Sequence, residues 1–367
     1  MTIAQTEQTI IPSKRIGYID ALRGLTMILV VFSHIYIPNS TPLNQFFILF
    51  RMPLFFFISG FISFRREQSW TGQETLSRLG SKVRTMIVPA LTIGLLYTMM
   101  CNETPIWVFF NRTMKMGYWF TFALFNMLII YYVSRYIHAR RGRTSIECFS
   151  KRFFVVCLLI FLLLSDLSAL GDVDKVLTLS KSFDYIQFFA FGALCSCNRE
   201  AFERTLDNGK KMALVVIGFF AIAWWLIDPD TTVMLENNGL LGHPLMKAFE
   251  SILRCMAGFL GILTVYGLFR RFGTFFSENK LVGKPLQFVG RNTLDVYLLH
   301  YFVLLNFPLY LYPYIVGTDN IACALVVGVS TAIVVVAISL LISRILRLSD
   351  HVAYYLLGAR DVKLDKK

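Results

Sequence analysis

Ten stretches of the chain are long, apolar and nearly free of charge, and polar or basic segments separate them. They fall near residues 18–38, 46–64, 85–101, 118–137, 153–170, 183–198, 212–227, 248–269, 293–311 and 321–346. About 20 mostly apolar residues allow a helix to cross a bilayer. The pattern therefore predicts an all-α fold, a multi-pass transmembrane helical bundle of about ten spans. The stretches at 183–198 and 212–227 are the shortest. An N-terminal segment, 1–17, precedes the membrane domain at 18–347, and a tail at 348–367 follows it. No small-residue cleavage site follows the first apolar run, so that run reads as a retained span rather than a signal peptide.

The charges orient the bundle. With the N-terminus cytoplasmic, 27 of the 36 Lys and Arg residues fall in inside segments and five in outside loops, and Arg23, Arg51, Arg135 and Arg254 lie within spans or at their ends. Cytoplasmic loops carry such an excess, which predicts both termini inside. Omitting a span would invert the alternation beyond the error. The outside loops are acidic or polar, as in GDVDK at 171–175. The inside loops are short, which argues against a separate cytoplasmic catalytic module.

Composition agrees. Hydrophobic residues make up 56% of the 367 and charged ones 16%, against about 45–50% and about 25% in soluble domains. Mean hydropathy is +0.58. A net charge of +13 would suggest nucleic acid as partner of a soluble protein. In a membrane bundle it follows from the loop asymmetry, so the partner is membrane lipid and no nucleic acid is expected. Of the seven Cys, only Cys195 and Cys197 form a close pair, and no second pair completes a metal site. They read as small apolar residues with no metal and no disulfide framework.

The first span, IDALRGLTMILVVFSHIYIP, holds Asp20, Arg23 and His34. A helix turns about 100° and rises about 1.5 Å per residue, so Arg23 and His34, eleven apart, share a face about 16 Å apart along the axis. Asp20 lies on the same face and is placed to pair with Arg23 at i,i+3. Polar groups inside a membrane are costly and normally face the bundle interior or a wet cavity. The stripe resembles a funnel with a titratable base at its bottom. The other reading has Arg23 snorkelling to headgroups and His34 satisfied within the core.

Three further stretches carry chemistry. FILFRMPLFFFISGF, 47–61, sets Arg51 toward the outer end of the second span and Ser59–Gly60 toward the inner, where Gly permits close helix approach. Arg78, Lys82 and Arg84 crowd the inner end of the third span. They either obey the positive-inside rule alone or cradle phosphate, for which Arg offers paired donors and Lys a point charge. In GRNTLDVYLLHYFVL, 290–304, Asn292 and Asp295 resemble a helix start. His300 lies about 12 Å further in.

Taken in order, these stretches resemble the integral-membrane acyltransferase type-three family, which includes bacterial polysaccharide and lipopolysaccharide sugar O-acetyltransferases. The resemblance rests on Asp20, Arg23–Gly24 and His34, on LFFFISGF, on YWFTFAL at 118–124 with Trp119, on FFAFGALCS, and on TLDVYLLH with Tyr297 and His300. It spans residues 15 to about 345. Where the family often has two arginines three apart at the inner end of the third span, position 81 is Ser, so Lys82 or Arg78 joins Arg84 there. The chain lacks the extracellular hydrolase-like domain of some members and resembles the stand-alone, fucose acetylase-like group.

The resemblance implies transfer of an acyl group, usually acetyl, from cytoplasmic acetyl-CoA to a hydroxyl of a lipid-linked or surface glycan, in a bacterial inner membrane. It implies catalytic roles for His34, Arg23, Asp20 and His300. Donor contacts would come from Arg23, Arg78, Lys82, Arg84 and Ser59, and acceptor contacts from Arg51, Trp119 and Tyr297. His34 would act as general base or carry the acyl group outward. A transporter or flippase using the buried Asp, Arg and His is the competing class, and the absence of an internal repeat counts against it. The acceptor sugar and the oligomeric state are not legible in the sequence.

Overall fold

Each of the ten apolar stretches contains a helix in the computed structural model. It describes residues 15–35, 41–66, 70–101, 105–142, 145–164, 171–228, 242–305 and 320–359. In chain order the helices are α1 Gly17–Ile35, α2 Pro42–Ser63, α3 Gly72–Lys82, α4 Val88–Met100, α5 Trp107–Phe110, α6 Trp119–Arg141, α7 Ile146–Leu164, α8 Gly171–Leu177 and α9 Leu179–Cys197. There follow α10 Arg199–Leu206, α11 Gly209–Ile227, α12 Gly242–Arg271, α13 Gly273–Glu278, α14 Gly283–Arg291, α15 Thr293–Leu305, α16 Ile321–Leu346 and α17 Asp350–Leu357. Among the described residues there is no strand. Among the described residues, seven helical stretches are long and apolar enough to cross a membrane, with α3 and α4 counted as one. Of the other predicted spans, α7 and α9 have 19 residues each and carry charges, and α15 has 13. The remainder of the ninth stretch, 306–311, lies outside the described residues, as do residues 1–14 of the N-terminal segment.

α3 passes into α4 through a π turn, Val83–Ile87, just before Pro89. Proline has no N–H to donate and crowds the preceding turn, and a widened turn accommodates it. Arg84 sits in that wide turn. Within the C-terminal tail, α17 folds back against α4.

Two glycine contacts set the frame. A Cβ on Gly24 would stand 2.0 Å from the Leu286 carbonyl oxygen, and one on Gly290 would stand 1.8 Å from that of Asp20. α1 and α14 thus touch backbone to backbone. Gly60 and Gly192 join α2 to α9 in the same way, a Cβ meeting the Phe189 oxygen at 1.9 Å and the Phe57 oxygen at 2.0 Å. Helix association within a bilayer depends on such close packing, because lipid tails supply no hydrophobic drive.

At the inner face predicted from charge, Glu203 of α10 collects a hydroxyl from Tyr18 of α1 at 2.8 Å and guanidinium contacts from Arg199 at 2.6 Å and Arg270 at 3.2 Å. Burial alone would raise the pKa of this carboxyl, but these partners hold it below its ordinary value.

Candidate active site

Arg23 donates from Nη2 to Thr293 Oγ1 at 3.0 Å, and His34 Nε2 lies 3.1 Å from the Tyr301 hydroxyl. Both contacts join α1 to α15, and their order shows that the two helices run parallel. The shared face of Arg23 and His34 predicted from spacing is therefore the face that α15 covers. Arg23 is not within ion-pair distance of Asp20 among the described residues, and Thr293 takes that place. Asp20 still acts on Arg23 through its charge. His34 lies in the last turn of α1, about 26 Å along a helix of about 28 Å, nearer its far end than its middle.

His34 and His300 stand with ring centroids 5.3 Å apart, and the Tyr301 ring lies tilted 4.0 Å from His300. His300 is wholly buried. Its Nδ1 is 3.0 Å from the Val296 carbonyl. A carbonyl only accepts, so Nδ1 carries the proton and Nε2 presents a lone pair in the neutral ring. That Nε2 has no hydrogen-bond partner among the described residues. His34 is only half-buried, so it is the imidazole a substrate can reach.

Behind this pair is a twisted loop. Lys115, Met116 and Gly117 have φ of 48°, 51° and 103°, and the first two are in a region costly for side-chain-bearing residues. The Gly117 carbonyl accepts from Tyr297 at 2.9 Å and from Tyr301 at 3.4 Å. A Cβ on Gly117 would meet the Tyr301 hydroxyl at 2.2 Å, so glycine is required there on two counts. The loop is held by the Lys115 ammonium, which donates to the Phe110 carbonyl at 3.2 Å and to that of Lys175. Tyr297 also accepts from the Phe120 amide at 3.2 Å.

Arg51 donates to Asn44 Oδ1 at 3.0 Å, and its charge acts on His34, Tyr185 and Tyr301. Trp119 packs on Tyr185 at 5.8 Å and on Phe56 at 6.3 Å. Ser59 is turned into its own helix, donating to the Phe55 carbonyl at 2.8 Å.

The structure thus gathers His34, His300, Tyr297 and Arg51 at one end of the α1–α15 pair and leaves Arg23 toward the other. Two of the basic residues of the third span, Arg78 and Arg84, make contacts of their own. Arg78 lies over the Trp70 ring at 5.1 Å, and Lys82 ends α3. Arg84 donates to the Ala359 carbonyl at 3.1 Å and lies over Tyr354 at 4.9 Å. Asp295 does not merely face its helix start: Arg347 grips it with contacts of 2.8 and 2.9 Å, and Ser343 donates at 2.6 Å. Asn292 donates back to the Phe288 carbonyl at 2.8 Å. Tyr301, Thr293 and Gly117 were not singled out from sequence. Only the adjacency of Tyr301 to His300 could have signalled the first.

The sequence pattern of the acyltransferase type-3 family, described as an acyltransferase domain, matches residues 16–344. The chain belongs to this family. No curated protein and no solved structure gives a match. This type-3 acyltransferase is a multi-pass helical membrane protein, and the matched region runs from the residue before α1 to near the end of α16.

Proposed function

We propose that this acyltransferase moves an acyl group, acetyl in the simplest case, from cytoplasmic acyl-CoA to a hydroxyl of a lipid-linked or surface glycan, with ten spans and both termini cytoplasmic in a bacterial inner membrane. The observation that carries the reading is the His34–Tyr301–Gly117 relay. If Tyr301 gives its one proton to the Gly117 carbonyl, its oxygen accepts from His34 Nε2–H. Nδ1 of His34 then holds the free lone pair, and a base in the correct tautomer faces the acceptor.

In this reading the acceptor hydroxyl loses its proton to His34 Nδ1 as its oxygen attacks the thioester carbonyl. The tetrahedral intermediate collapses, the C–S bond breaks, and the coenzyme thiolate leaves and takes up that proton. The His300 ring keeps the imidazolium of His34 in a fixed polar setting, and Arg51 supplies positive charge where the oxyanion develops. Arg23, at the opposite end of the stripe, and Lys82 bear on the donor's phosphates, for which charge-assisted contacts suit. Arg84 and Arg78 reach the donor only after exchanging the contacts they make with Ala359 and Trp70. Trp119 and Tyr297 contribute to the acceptor side, Trp119 as a flat apolar platform.

The test is purified protein incubated with radiolabelled acetyl-CoA and a glycan-lipid extract. Label transfer that requires His34, with donor affinity lowered about ten- to a hundredfold by neutralising Arg23 or Lys82, supports the reading. Unchanged donor affinity in both variants would return these cations to the positive-inside rule. A reporter fused after Lys367 that reads outside would overturn the orientation.

A further inference from the structure

The inner ends of α6 and α7, outside the proposed active site, flank a half-open cavity of about 720 Å³. Its walls carry Ser134, His138, Arg140, Arg141 and Arg152, and Phe149 contributes an aromatic side. Three guanidinium groups and an imidazole thus line one space with no carboxylate among its lining residues. The carboxylate in the first turn of α7, Glu147, is turned away to Arg66 at 3.4 Å. Arg140, Arg141 and Arg152 are all exposed, and Arg140 donates to the Tyr136 hydroxyl at 3.2 Å.

A second observation lies one ring away. Arg135, one helical turn before His138, is buried at 3% exposure. Its guanidinium lies 5.6 Å from the centroid of Phe149, whose ring His138 packs on at 4.8 Å. Nη2 donates weakly to the Arg65 carbonyl at 3.4 Å, and Nε and Nη1 make no hydrogen bond among the described residues. The Tyr131 hydroxyl is beside it, and no carboxylate pairs with it among the described residues. A buried cation without a counter-charge is costly and raises the positive potential of its surroundings.

The positive-inside rule accounts for basic residues at helix ends, but it does not require them to converge on one aromatic-walled cavity. We infer that this cavity between the inner ends of α6 and α7 binds a phosphate group, held by Arg140, Arg141 and Arg152. Arg forks match phosphate oxygens in pairs. Basic pockets between transmembrane helices on the cytoplasmic side take anionic headgroups, so the phosphate belongs either to an anionic phospholipid or to a soluble ligand. This site is separate from acyl transfer, and its occupancy does not depend on the catalytic reading.

The test uses the purified full chain in detergent and follows native mass spectra and thermal shifts. The probes are short-chain phosphatidylglycerol, matched phosphatidylcholine, inorganic phosphate and adenosine 3′,5′-bisphosphate. The expected result is binding of phosphatidylglycerol or of a soluble phosphate, weakened at least about tenfold in Arg141→Gln/Arg152→Gln. Response to phosphatidylglycerol alone identifies a lipid, and response to the soluble probes alone identifies a free phosphate ligand. On the unaltered protein, phosphatidylcholine binding as well as phosphatidylglycerol with no response to either soluble probe overturns the inference. So does equal anion binding by the double variant.

Discussion

The Tyr301 hydroxyl lies 3.1 Å from His34 Nε2, joining two parallel helices that are 267 residues apart in sequence. The same hydroxyl is 3.4 Å from the Gly117 carbonyl. One proton cannot satisfy both neighbours, and the carbonyl can only accept. In the proposed mechanism the proton goes to the carbonyl, and Tyr301 is then a positioning residue that selects the tautomer of His34.

Tyr301→Phe should therefore lower kcat by about tenfold or more while leaving the donor KM near its starting value, because it frees the ring without removing the base. His34→Ala should cost at least about 10²-fold, the lower end of general acid–base contributions. His34→Gln should be as inactive, since an amide can hydrogen bond but cannot take the proton. Steady-state kinetics on folded, inserted protein would check all three. If Gln restores transfer where Ala does not, His34 only positions, and the base lies elsewhere, with His300 next.

Gly24 tests the frame rather than the chemistry. With a prospective Cβ 2.0 Å from a backbone oxygen, no rotamer change relieves the clash, so Gly24→Ala should separate α1 from α14 and reduce folded yield sharply. Gly80, whose Cβ would meet nothing within 4 Å, is the matched control. Replacing it by Ala in a helix should be neutral or stabilising by up to about 1 kcal/mol. Size-exclusion profiles and melting curves of the two variants would separate the outcomes. Equal behaviour would refute the close-approach account.

Much of this was legible in the sequence, and the remainder was not for identifiable reasons. The apolar stretches announced the helices because a span must satisfy every backbone group internally. The Arg23–His34 phase match was readable because helical geometry is local. The pairing of Arg23 with Thr293 instead of Asp20 was not, because it depends on which helix packs against α1. The grip of Arg347 on Asp295, 52 positions away, is likewise a tertiary fact. The twisted loop at Lys115–Gly117 left no sign except the glycine. The contacts of Arg78 with Trp70 and of Arg84 with Ala359 and Tyr354 were not legible either, because they too depend on tertiary packing.

The Asp295–Arg347 pair makes a stability prediction. Asp295 is buried at 4% exposure, and the Arg347 side chain is about one-third exposed, at 37%. Arg347→Ala leaves a buried carboxylate with only Ser343 as partner. The expected loss is about 1–3 kcal/mol, short of the full cost of a wholly buried pair because solvent reaches Arg347. Asp295→Asn with Arg347→Ala should recover part of it by removing the charge. Thermal unfolding of the single and double variants measures the coupling, and strictly additive losses would refute it.

Lys115 makes a pH prediction for the loop that supplies the Gly117 carbonyl. Burial lowers its pKa from 10.5 to about 8, with Asp174 offsetting part of the effect. In an unfolded loop the ammonium keeps its proton to about pH 10.5, whereas in the folded loop it releases it near pH 8. Between those values the unfolded form binds more protons, so loop stability rises with pH across that window. Below about pH 8 both forms are charged and the burial penalty is constant. Hydrogen exchange over residues 112–118, corrected for the intrinsic pH dependence of exchange, should show protection growing from pH 8 toward pH 10. Lys115→Met keeps the stem and removes the titration, so its protection should be flat across the same range. A wild-type loop whose protection is also flat, or falls, would show that the ammonium's contacts with Asp174 and the Phe110 and Lys175 carbonyls offset or outweigh its burial penalty.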